Sequence, residues 1–188
     1  MDSDPSTIPV QPIPFVHGLT RFAHSLTRGQ AKIVAIGSST TAGEGNIAAY
    51  PGRLLSFLQA QYPYSGLAMV NKGIGGQEAP IELQRFDADV ILMDLQYVPA
   101  VLTPAKKDKA IAMVEAIGEL ARDAGVNVFR RFAFMKGLYR VEQVSFDRIV
   151  DPTDDSRLHD SDWTTGRVAW ALKLAIVDGV DKARSNET

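Results

Sequence analysis

The sequence predicts an α/β domain with a mostly parallel central sheet, and three observations predict it. Short apolar runs alternate with segments whose apolar residues recur at helical spacing. One of these runs, Asp89-Val90-Ile91-Leu92-Met93, is nearly continuously apolar, which suits a parallel sheet covered on both faces. Glycine-rich and serine-rich loops follow the first and second runs, where the chain has to turn tightly. The 188 residues lie near the roughly 150 that one domain commonly takes. With 45% hydrophobic and 22% charged residues, the chain is neither a disordered nor a fibrous sequence.

Residues 1–14 begin Met1-Asp2-Ser3-Asp4-Pro5 and carry prolines up to Pro14, which predicts an extended arm or linker ahead of a single domain over 15–188. The acidic start, with no apolar run behind it, does not match a secretory leader. The compartment therefore stays open between the cytoplasm and export with a leader removed. No segment approaches the roughly 20 apolar residues that span a bilayer, so a soluble chain is expected. Phe15, Leu19, Phe22, Ala23 and Leu26 predict a helix over 15–28 that Gly29 stops, with His17 and His24 on it. Lys32-Ile33-Val34-Ala35-Ile36 reads as the first strand and runs into Gly37-Ser38-Ser39-Thr40-Thr41-Ala42-Gly43-Glu44-Gly45. Leu54, Leu55 and Leu58 mark the next helix, which Pro63 ends. Leu67-Ala68-Met69-Val70 and Asp89-Val90-Ile91-Leu92-Met93 are the second and third strands. Thr103 as N-cap and Pro104 behind it open a long helix that Gly125 closes. Val126-Asn127-Val128-Phe129 is the fourth strand. Residues 130–136 mix cations with aromatics and read as its exit and a loop. Val168, Ala171, Leu172, Ala175, Ile176 and Val180 lie on a final helix.

In open parallel sheets ligands bind beyond the carboxyl ends of the strands, so the loops at 37–45, 73–77 and 94–99 are where chemistry is expected. Lys+Arg number 20 against 22 Asp+Glu, a net charge of −2, and no basic face for nucleic acid is indicated. With no Cys, disulfides, thiolate metal sites and thiol nucleophiles are excluded. A phosphate-binding loop after Gly37 would need Gly-Lys where Gly43-Glu44 stands, and a dinucleotide fingerprint from Gly73 would need glycine where Glu78 stands. No His-Glu-x-x-His pair is present. No cofactor and no metal are expected.

Two side chains remain for covalent chemistry. His159 sits among carboxylates in Asp154-Asp155-Ser156-Arg157-Leu158-His159-Asp160, where acidic neighbours would hold its imidazole as a base. The same residues also suit a solvated helix N-terminus. Ser39 follows the first strand, where free backbone N–H groups could stabilise an oxyanion, yet Ser38, Ser39, Thr40 and Thr41 would all serve as helix caps. Tyr97 and Trp163 flank the region, as pocket lining or as core.

Taken together, three segments resemble sequence blocks of the SGNH/GDSL hydrolases. Residues Ile36-Gly37-Ser38-Ser39-Thr40-Thr41-Ala42-Gly43 are similar to the first block, Asn71-Lys72-Gly73-Ile74-Gly75-Gly76-Gln77 to the second, and Leu158-His159-Asp160-Ser161-Asp162-Trp163 with Gly166 to the last. The resemblance implies a three-layer sandwich of flavodoxin-like architecture, no cofactor, and hydrolysis of a small acyl ester through an acyl-enzyme on Ser39. It makes Ser39 the nucleophile, His159 the general base, and the backbone N–H groups of Ser39 and Gly76 part of the oxyanion hole. Two positions depart from the pattern. Asp94-Leu95-Gln96-Tyr97 stands where the family has Gly-x-Asn-Asp, so Gln96 takes the place of the oxyanion-hole asparagine. Ser156 occupies the position of the family's aspartate, so Asp155 is expected to orient His159, with Asp154 in reserve. The implied partner is a small-molecule or carbohydrate ester, an acetyl or short-chain one. The alternatives are acyl transfer at the same Ser39 and His159, and a degenerate domain that binds such a ligand without turnover.

Overall fold

The computed structural model describes residues 13–43, 45–74, 89–98 and 103–186. Four strands, β1 (Lys32–Gly37), β2 (Ala68–Gly73), β3 (Ile91–Met93) and β4 (Asn127–Phe129), pair in parallel. Among the described residues they pair two by two. β1 lies on β2 with Lys32 opposite Ala68 and Gly37 opposite Gly73, and β3 lies on β4 with Met93 opposite Phe129. The architecture is mixed α/β with parallel strands, as the alternation of apolar runs and helical segments implies.

The helices are α1 (Thr20–Thr27), α2 (Ser39–Ala42), α3 (Tyr50–Gln61), α4 (Pro104–Ala124), α5 (Arg131–Arg140), α6 (Phe146–Ile149) and α7 (Asp162–Ser185). α3 packs on α7 and on β2, α1 also packs on α7, and α4 packs on β4. One apolar core runs from Phe15 through Leu58, Phe129, Met135 and Val168 to Ala183. The Thr103 hydroxyl accepts the Lys106 N–H at the start of α4, and Gly125 ends that helix at φ 65°, a left-handed conformation that glycine adopts without strain. No described helix is long and apolar enough to cross a membrane.

Two expectations are corrected. The first helix starts at Thr20, not at 15: Phe15 and Leu19 are buried, but in a segment laid on α7, where the Leu19 N–H donates to Gly179 O at 2.8 Å. A Cβ on Gly179 would stand 2.8 Å from Leu19 Cγ, and one on Gly18 would stand 2.9 Å from Ala183 N, so glycine permits the contact from both sides. His17 thus precedes the helix. Its N–H donates to Asn127 Oδ1, and its carbonyl accepts from Asn127 Nδ2, both at 2.9 Å. The second correction concerns residues 130–136, of which 131–136 are the start of α5 and not a loop. Phe132, Met135 and Leu138 recur at helical spacing and are buried, with Arg131 just ahead of them and Lys136 exposed between the last two.

Candidate active site

β1 ends at Gly37, and Ser39 opens the single turn of α2 beyond it. The turn is seated on the end of β2. A Cβ on Gly73 would stand 2.2 Å from Ala42 N, and one on Gly37 2.3 Å from Thr41 Oγ1, so both positions need glycine for this approach. Asn71 fastens the two loops: its Nδ2 donates to Thr41 O at 2.7 Å, and its Oδ1 accepts the Gly73 N–H at 2.9 Å. Ile74 N–H closes the pairing onto Gly37 O at 2.9 Å. Ser39 Oγ is thereby aimed from a braced turn, and its backbone N–H makes no hydrogen bond among the described residues.

His159 comes from the loop that joins α6 to α7. That loop is pinned at its base by the bridge between Val150 and Asp160 and by the Asp151 N–H on His159 O at 2.9 Å. Within it the chain turns through Arg157 at φ 54° and folds back over Asp154. His159 Nε2 lies 3.2 Å from Ser39 Oγ, and its Nδ1 lies 2.9 Å from Asp154 Oδ2. A carboxylate only accepts, so Nδ1 carries the proton and the Nε2 lone pair faces the serine hydroxyl. The side chains of His159 and Asp154 are 28% and 16% exposed, which leaves the pair partly screened from water.

The carboxylate on the imidazole is Asp154. Asp155, the residue expected from the sequence, is exposed on the outside of the turn. Backbone geometry makes the choice. Asp154 accepts the Ser156 hydroxyl at 2.6 Å and the N–H groups of Ser156, Leu158 and His159 at 2.9, 2.9 and 3.0 Å. These bonds, the Ser156 hydroxyl first and the His159 N–H next, hold its carboxyl well below the usual carboxylate range. Ser156, which stands where the sequence resemblance would put an aspartate, is thus a donor to the aspartate that contacts the imidazole.

Gln96 is also corrected. Its Nε2 donates to Leu158 O at 2.9 Å and to Asp160 Oδ1 at 2.5 Å, which uses both amide hydrogens. The longer stem reaches across to the histidine loop and ties down the residues on either side of His159. Asp160 is 5% exposed, and burial pushes its carboxyl up to about 6 against the opposing effects of Arg131, the Gln96 amide and His159. Asp94, also buried and raised by that burial, accepts the Phe132 N–H at 2.8 Å and so caps the N-terminus of α5.

Ser39 and His159 open into a shallow cleft, about 260 Å³ counted out to its mouth, with Gly43, Ile47, Ala49 and Thr165 on its walls. Tyr97 is core, edge-on to Phe132 at 5.2 Å, and Trp163 lies under the Arg148 guanidinium at 4.6 Å. Gly76 lies outside the described residues. Among the described residues no cluster of three or more His, Cys, Asp or Glu could hold a metal ion. Of the lining residues that sequence reasoning missed, Ile47 and Ala49 carry no reactive group, the Thr165 hydroxyl donates to Asp162 O at 2.9 Å, and no motif signals any of the three.

No family model and no curated protein matches this chain. A solved structure does: LAE5, described as an alpha/beta hydrolase enzyme from the metagenome of Lake Arreo, Spain, is similar at a TM-score of 0.53 and 16% identity. The match covers 81% of this chain and 95% of that one. At that identity the likeness bears on the fold alone, a layered α/β arrangement.

Proposed function

We propose that this protein is a serine hydrolase of the SGNH/GDSL type that cleaves a small acyl ester through an acyl-enzyme on Ser39. One observation carries the reading: the hydrogen-bonded line from Asp154 through His159 to Ser39, opening into a cleft. The description of LAE5 as a hydrolase agrees with it.

Ser39 Oγ attacks the ester carbonyl carbon while His159 Nε2 takes the hydroxyl proton. Asp154 holds the imidazole in the required tautomer and stabilises the imidazolium that forms. Negative charge then develops on the carbonyl oxygen. Ser39 N–H, unspent among the described residues, is one donor to it, and Gly76 N–H is the proposed second. The tetrahedral species collapses with loss of the alcohol, which leaves with the proton from Nε2. Water, deprotonated by the same nitrogen, attacks the acyl-enzyme, and the carboxylic acid departs as Ser39 recovers its proton.

The test is hydrolysis of a chromogenic acetate ester. Ser39→Ala and His159→Ala are expected to lose roughly a thousandfold or more of turnover with their melting temperatures unchanged. Full activity in Ser39→Ala sinks the proposal. One observation favours a second reading, binding of an acylated ligand without turnover: the Gln96 amide is committed to the histidine loop, so it is not an oxyanion donor. Under that reading neither acetate hydrolysis nor acylation of Ser39 is detectable.

A further inference from the structure

We infer that residues 45–49, which lead into α3, are the acyl-length gauge of this site, with Ile47 as the side chain that stops the chain and Ala49 beside it. The inference rests on the proposed attack by Ser39. The apolar side chains lining the cleft at Ser39 and His159 are Ile47 and Ala49, so an acyl group carried on Ser39 Oγ packs against them. The cleft is shallow, and Ile47 and Ala49 line it together with Ser39 and His159.

A wall selects by length only if it cannot swing away, and this one is held at both ends and in the middle. At its start, Ala49 Cβ and Ile47 O lie 3.0 and 3.3 Å from where a Cβ on Gly43 would stand, so the segment is folded tightly against α2. In the middle, the Ala48 N–H donates to Asp162 Oδ1 at 3.1 Å, and Arg53 Nε donates to Ala48 O at 3.4 Å. Arg53 and Asp162 pair with each other, which closes the clamp between α3 and the first residue of α7. At its end the segment enters α3 at Tyr50, which is buried. The clamp thus ties the acyl wall to the helix that begins just past His159, and the distance from Ser39 to Ile47 is set by two helices. Acetyl and similarly short groups fit in front of the wall; long alkyl chains do not. Each methylene gained or refused in an apolar pocket changes kcat/KM by about tenfold or more.

The experiment compares kcat/KM on p-nitrophenyl acetate, butyrate and octanoate for the wild-type chain, Ile47→Ala and Asp162→Asn. The wild type is expected to prefer acetate. Ile47→Ala is expected to raise octanoate relative to acetate by about tenfold or more, and Asp162→Asn, which loosens the wall without changing a lining side chain, to move the ratio the same way by less. Should Ile47→Ala fail to fold, Asp162→Asn decides. A wild type that prefers octanoate, or an unchanged ratio in folded variants that still cleave acetate, overturns the gauge and leaves the hydrolase reading standing. If the wild type cleaves none of the esters and Ser39 takes up no fluorophosphonate, the hydrolase reading falls and the gauge falls with it.

Discussion

At the scale of single residues, Asp154 is the point on which the candidate site turns. Its carboxylate collects hydrogen bonds from Ser156, Leu158 and His159, so it shapes the loop and faces Nδ1 at once. Asp154→Asn is expected to lower kcat by on the order of 10²–10⁴, since an amide at this place favours the wrong imidazole tautomer. Asp155→Asn, on the exposed side of the turn, is expected to stay within about a factor of two. Acetate hydrolysis by the two variants checks the assignment, and the reverse pattern contradicts it. Gln96→Asn is a second test. A shorter amide cannot span from the end of β3 to both Leu158 O and Asp160, so turnover is expected to fall by up to about 10² as His159 drifts. A rise in turnover would instead mark position 96 as an oxyanion donor. Ser39 and His159 stand out in the sequence as candidates because few residue types carry that chemistry, and the structure brings them within 3.2 Å of each other. The choice of Asp154 over Asp155 was not legible, because it is made by side-chain to backbone bonds inside one turn, and the engagement of Gln96 depends on a reach that spacing does not encode.

Among the elements, the seat of α2 on the end of β2 sets where Ser39 stands. Gly73→Ala places a Cβ against the backbone of Ala42, which cannot yield as a flexible side chain would. A loss of about 1–3 kcal/mol in unfolding free energy is expected, together with slower acylation of Ser39. Gly52→Ala is the control: it sits on the exposed side of α3 with nothing within 4 Å of the added Cβ, and it is expected to leave the site intact. Denaturant unfolding of the two variants separates these outcomes. Strand and helix alternation was readable from periodicity, and Thr103 and Gly125 marked the ends of α4 correctly. The start of α1 was not readable, because Phe15 and Leu19 keep helical spacing while serving a docked, non-helical segment. Nor was the start of α5 readable, because Arg130, Arg131 and Lys136 interleave with the stripe of Phe132, Met135 and Leu138 and mask its period.

For the molecule as a whole, one dependence of stability on pH runs through Asp160. Its carboxyl rises from 3.8 to about 6 on folding, so the folded state keeps a proton that the unfolded chain releases. The stability this confers is fully present below about pH 4 and is lost as pH climbs through about 6. Asp160→Asn retains an oxygen for the Gln96 amide and does not ionise. Its stability relative to the wild type is therefore expected to grow by roughly 3 kcal/mol at most between pH 4 and 6 and to level off above. Unfolding curves at several pH values measure this, and a difference that stays flat contradicts it. The parallel α/β layout that brings the ends of β1 and β3 and the loop before α7 to one place was legible in outline; the likeness to LAE5 adds agreement at the level of fold. The central claim is that Ser39 is a nucleophile activated by His159. The most direct measurement is reaction of the folded wild-type chain and of His159→Ala with a fluorophosphonate probe, read by peptide mapping. The expected result is a single adduct on Ser39 that forms about 10² or more times slower in His159→Ala. No adduct on Ser39, or equal rates in the two proteins, contradicts the account.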